Sequence, residues 1–124
     1  MNLHLTHNNF VFDRVLNVFK SIDNVNLKQH KFIIYSLHEI KEANRMIKDE
    51  SVTYVVYDSV KFWSEIGDLA AYDKIYIHFL SDQLSDFILK CPKEVQVVLV
   101  FWGGCFFVAT FQKINLSSVV LRLC

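Results

Sequence analysis

The segment Ile75-Tyr76-Ile77-His78-Phe79, followed by Leu80-Ser81-Asp82, decides the architecture of this chain. Its first part is short, apolar and rich in β-branched and aromatic residues, which suits a buried strand. Ser81 is a good helix N-cap, and Asp82 complements the positive end of a helix dipole. Leu84, Phe87, Ile88 and Cys91 then recur at helical spacing, and Pro92 ends the helix. A buried strand feeding an amphipathic helix is the opening of a βαβ unit.

The same alternation runs outward in both directions. Upstream, Asn2 to Thr6 reads as a first strand, and Asn8 or Asn9 caps a helix with Phe12, Val15, Leu16, Phe19 and Ile22 on one face. Asp23 to Asn26 reads as a turn. Phe32 to Tyr35 is a second strand, and Leu37, Ile40, Ala43 and Ile47 share a second helical face. Val52 to Tyr57 is a third strand. Asp58 or Ser59 caps a helix that buries Phe62, Ile66, Leu69 and Ala70, weakened by Gly67. Downstream, Val95 to Trp102 is a fifth strand. Five buried strands separated by helices predict an α/β fold, a Rossmann-like parallel sheet with helices on both faces. The expected strand order is 3-2-1-4-5. The tail from Cys105 reads as a sixth strand or a poorly ordered end.

Composition narrows the function classes. The chain has 124 residues, 52% hydrophobic, with 13 basic and 13 acidic side chains. It suits one folded domain. No basic stripe marks a nucleic-acid partner. Cys91, Cys105 and Cys124 form no CxxC pair, so neither a disulfide framework nor a zinc knuckle is expected. Val95 to Gln112 is uncharged and apolar, but its β-branched residues and Gly-Gly break favour a buried strand over a membrane helix. The N-terminus shows no signal peptide, and the expected localisation is cytoplasmic.

In an open α/β sheet, ligands bind beyond the carboxyl ends of the strands at the switch point. That rule selects His7 and Asn8 after the first strand, Ser36 and His38 after the second, and Asp58 after the third. It adds His78 and Ser81 around the fourth, and Trp102, Gly103 and Gly104 after the fifth. His7, His78 and the Gly-Gly turn are expected to face one crevice. The pair His4 and His7 is odd-spaced on a strand, so it is no metal site, and none is expected. No GxGxxG follows the first strand and no GK[ST] occurs, so no nucleotide cofactor is expected on a glycine loop.

The run Tyr76-Ile77-His78-Phe79-Leu80-Ser81, a helix, and then Val98 to Gly104 ending in Phe101-Trp102-Gly103-Gly104 resembles the bacterial 4-alpha-L-fucosyltransferase family. Those enzymes are TDP-N-acetylfucosamine:lipid II N-acetylfucosaminyltransferases. Thr6-His7-Asn8-Asn9-Phe10 is also similar to the family's N-terminal loop. The resemblance covers about residues 1 to 104 and implies the N-terminal half of a GT-B fold. It implies an acceptor-side domain for a glycan or lipid-linked saccharide at the inner face of the plasma membrane. The TDP-sugar would be held by a C-terminal domain, without a metal. The family's acid after Trp-Gly-Gly is Cys105 here, and residues 105–124 do not resemble the family, which fits a divergent apolar tail or a truncated form inactive alone. The alternative is a stand-alone flavodoxin-like module that binds a small ligand or a protein, with the apolar tail able to pair two copies.

Overall fold

The computed structural model describes residues 1–22, 26–101, 106–111 and 118–123, with side chains up to Val100. Its strands are β1 (Asn2–His7), β2 (His30–Ser36), β3 (Val52–Val56), β4 (Lys74–His78), β5 (Gln96–Phe101), β6 (Phe106–Phe111) and β7 (Ser118–Leu123). Its α-helices are α1 (Phe10–Lys20), α2 (Val60–Ile66) and α3 (Asp82–Lys90). The strands form one sheet in the order β3-β2-β1-β4-β5-β6-β7. The first five strands pair in parallel, as the alternation predicts. β6 and β7 continue the sheet antiparallel beyond β5. The expected turn at residues 23–25 and the residues Trp102, Gly103, Gly104 and Cys105 lie outside the described set.

Strand parity divides the core into two layers. Leu3 and Leu5 of β1, Ile33 of β2 and Ile75 and Ile77 of β4 point to one face, where α2 and α3 bring Phe62, Ile66, Leu84 and Phe87. Phe32 and Ile34 of β2 point to the other, where α1 brings Phe12 and Leu16. Asn9 caps α1, its Oδ1 accepting from the Phe12 N–H at 2.7 Å. Ser59 caps α2 and Ser81 caps α3 in the same way. Gly67 does not sit inside a helix. With φ +71° it terminates α2, and Leu69–Ala71 follows as a 3₁₀ turn. Ile22 lies beyond the end of α1 and is exposed.

The second expected helix does not form. Residues 37–51 contain only the 3₁₀ turn Glu42–Asn44. Their backbone groups are claimed by side chains from elsewhere. Asn8 donates to the Asn44 carbonyl at 3.1 Å and accepts from the Met46 N–H at 2.8 Å. The Tyr54 hydroxyl accepts from the Ile47 N–H at 3.1 Å and donates to Asn8 at 2.7 Å. Ile47 still reaches the core, as its spacing implied, but from an extended segment. A short isolated helix is marginal in water, so these bonds decide the local structure.

The segment that raised the question of a membrane span is divided between β5 and β6, and no described helix is long and apolar enough to cross a bilayer. Phe62 is fully buried whereas Val60 is 88% exposed. Phe62→Ala should therefore lower stability by about 3–5 kcal/mol, and Val60→Ala by less than about 0.5 kcal/mol, in urea unfolding at neutral pH.

Candidate functional site

The chain leaves β1 for β2 on one side, and later crosses from β3 to β4 on the other. The switch point is therefore between the carboxyl ends of β1 and β4. His7 and Phe79 meet there, with ring centroids 5.4 Å apart in an edge-on arrangement. Phe79 holds φ +65°, a left-handed conformation that costs a bulky residue about 1–3 kcal/mol. Its N–H donates to the Val100 carbonyl at 3.2 Å, which ties the strained turn to β5. His7 is exposed, and partial desolvation lowers its pKa below the ordinary 6.5. At neutral pH its imidazole is therefore mostly uncharged and able to accept a hydroxyl proton.

The other predicted residues fall around this point in distinct roles. Ser81 accepts from the Leu84 N–H at 3.2 Å and lies 2.5 Å from the Tyr35 hydroxyl, so it joins the ends of β2 and α3. Asn8 holds the loop of residues 44–46, as described above. Asn9 donates to the His7 carbonyl at 2.7 Å and fixes the backbone beneath the His7 ring. Trp102, Gly103 and Gly104 lie outside the described residues. Asp58, at the end of β3, also holds positive φ and accepts from the Trp63 indole at 2.7 Å.

His78 is turned to the opposite face from His7 and Phe79, because its side chain alternates with theirs along the sheet. The structure does not bring His7 and His78 into one crevice. His78 is 5% exposed and lies under α1, with the Phe12 ring edge-on at 4.8 Å. Its Nε2 is 3.0 Å from His4 Nδ1, and His4 Nε2 is 3.0 Å from His30 Nδ1. Three histidines on three neighbouring strands thus form a chain of ring-to-ring hydrogen bonds. It runs diagonally from the carboxyl end of β4, across β1, to the amino end of β2. Tyr76 stacks on His4 at 4.6 Å, and Phe19 meets His30 edge-on at 4.8 Å.

Aromatic enclosure fixes the charge state of this chain. Burial, together with repulsion from His78 and His30, lowers the His4 pKa to about 2. Burial lowers that of His78 to about 3, and burial and the N-terminal ammonium lower that of His30. A neutral imidazole has one N–H and one bare nitrogen, so both bonds must run in the same sense. Reversing one tautomer reverses all three. The chain is not a metal centre: His4 uses opposite nitrogens for its two neighbours, so no single ion reaches all three rings. Among the described residues no group of three His, Cys, Asp or Glu side chains is placed to hold one.

Sequence reasoning missed His4 and His30. The signal was shared parity: His30 with Phe32, and His78 with Tyr76, become neighbours of His4 once the strand order and register are fixed.

Fold and switch point together define a Rossmann-like parallel α/β domain without a glycine-rich phosphate loop. Neither a protein family nor a curated protein matches the sequence.

Two buried neutral histidines make the fold acid-sensitive. Below pH 6.5 the unfolded chain takes up protons that folded His4 and His78 refuse, so stability falls as pH falls toward their folded values. Each of these rings should contribute a fall of about 1 kcal/mol per pH unit between about pH 6 and 4, and nothing above about pH 7.5. Urea midpoints measured across that range check it, and His78→Gln should make the slope shallower by about one ring's share.

Proposed function

We propose that this chain is the acceptor-side domain of a GT-B glycosyltransferase of the 4-alpha-L-fucosyltransferase type. Such a domain binds a glycan or lipid-linked saccharide, while a TDP-sugar is held by a separate C-terminal domain. The observation that carries this reading is the switch point. His7, mostly uncharged at neutral pH, stands exposed against Phe79, whose strained turn is anchored to β5. No glycine loop lies at the end of β1 to take a diphosphate, where Thr6-His7-Asn8-Asn9 stands instead. His7 is then the base that accepts the proton of the attacking sugar hydroxyl, and Phe79 is an apolar wall for the ring's C–H face. Work on a lipid-linked acceptor brings the domain to the inner face of the plasma membrane.

A second reading has its own support. Phe10, Val11, Val18 and Ile22 leave an exposed apolar strip along and just beyond α1. A strip of that kind favours a stand-alone module that binds a protein.

Amide NMR shifts during titration separate these readings. Soluble disaccharide acceptors should shift His7, Phe79 and Ser81, and TDP-sugar alone should shift none of them. His7→Ala should weaken glycan binding about tenfold, the loss of one good hydrogen bond. Micromolar binding of TDP-sugar by this chain alone, or no glycan response at the switch point, overturns the first reading.

A further inference from the structure

A second cleft opens at the carboxyl ends of β2 and β3, away from the His7–Phe79 contact. It has a volume of about 210 Å³. That is below the ~300–1,000 Å³ of drug-sized ligand sites, so it suits one compact group. Arg45 and Tyr54 form one wall, and this wall also borders a larger hollow of about 560 Å³ beside Glu42 and Glu50.

Arg45 is held in place by its neighbours. Its guanidinium lies over the Tyr54 ring, 4.6 Å from the centroid. The backbone is pinned on both sides, at Asn44 and Met46 by Asn8 and at Ile47 by the Tyr54 hydroxyl. Its own N–H donates to the Glu42 carbonyl at 3.2 Å. Yet its Nε is buried with no hydrogen-bond partner, and no carboxylate pairs with it among the described residues. A desolvated donor left unmade costs free energy, which a small shift of the guanidinium toward an acceptor would recover. The entropy of ordering the arginine has been spent in folding, which lowers the cost of binding.

Charge selects the ligand. The small cleft holds Arg45 and Lys61 against Glu39 alone, with the Ser36 and Ser59 side chains in its wall. The larger hollow sets Glu42, Asp49 and Glu50 against Arg45 and Lys48, and is the less hospitable side for an anion. Asp49 there is paired with Lys20 at 2.5 Å. A planar guanidinium fork matches two oxygens of one oxyanion.

We infer that the cleft between Arg45, Lys61 and the end of β3 is a binding site for an oxyanion group, the carboxylate or phosphate of a small ligand. Arg45 supplies the fork, the Tyr54 ring fixes its plane, and Lys61 adds a second positive charge. The site does not depend on the acceptor reading, since it shares no residue with the His7–Phe79 contact.

The test is an amide NMR titration of the whole chain at constant ionic strength, with sodium acetate, inorganic phosphate and sodium chloride in separate arms. Saturable shifts at Tyr54, Val56 and Ser59 with acetate or phosphate, and not with chloride, support the site. Acetate alone identifies a carboxylate ligand, and phosphate alone a phosphate. Arg45→Gln should abolish saturation, whereas Arg45→Lys, which keeps the charge and loses the fork, should weaken it about fivefold. Spectral dispersion shows whether each variant is folded, and Lys61→Gln, remote from the Asn8 bonds, should weaken binding if Arg45→Gln unfolds. Linear shifts equal to those with chloride, or saturation unchanged in Arg45→Lys and Lys61→Gln, overturn the inference. Responses at His7 and Phe79 belong to the other site and are scored separately.

Discussion

Everything in this molecule hangs on β1. It is the middle strand of the parallel part of the sheet, paired to β2 and β4, and the strand order reverses beside it. Its side chains are buried on both faces, but the two faces differ in kind. Leu3 and Leu5 enter an aliphatic and aromatic core under α2 and α3. His4 and Thr6 enter the layer under α1, where a polar atom must find a partner or cost free energy. His4 finds one on each side, and Thr6 meets Asn9. The ring chain is therefore a cross-strand ladder of side chains, parallel in purpose to the backbone ladder.

That arrangement joins the fold to its candidate site. His78 closes the chain one residue before Phe79, the strained residue of the switch point. The backbone that buries His78 on one face presents Phe79 toward His7 on the other. Packing beneath the sheet thus holds the turn above it. On the far side of β1, Asn8 does for the loop of residues 44–46 what a helix would have done. It satisfies backbone groups and delivers Ile47 to the core.

Much of the fold was legible from pattern. The short apolar runs gave five strands, Ser59 and Ser81 marked helix starts, and the lack of polar alternation implied a parallel sheet. The order β3-β2-β1-β4-β5 matches the expectation of a central first strand, which crossover handedness alone does not fix. What pattern missed depends on partners distant in sequence. Residues 37–48 have helical periodicity, yet Asn8 and Tyr54 take their backbone groups, and no local window contains those two residues. The histidine chain joins positions 4, 30 and 78, and its register is a property of the sheet alone. Arg45 lies between Ala43 and Ile47 of the expected second helix, and only its stacking on Tyr54 shows a poised cation. At the switch point the rule of strand ends found His7, while the positive φ of Phe79 has no glycine to announce it.

Neutral histidines bonded ring to ring through the sheet are the central feature of this structure. Ring nitrogen NMR with labelled histidine reads that directly, since protonated and bare nitrogens have distinct shifts. At pH 5, His4 and His78 should each keep one N–H and one bare nitrogen. A His4 ring that titrates near the ordinary imidazole value of about 6.5 would contradict it.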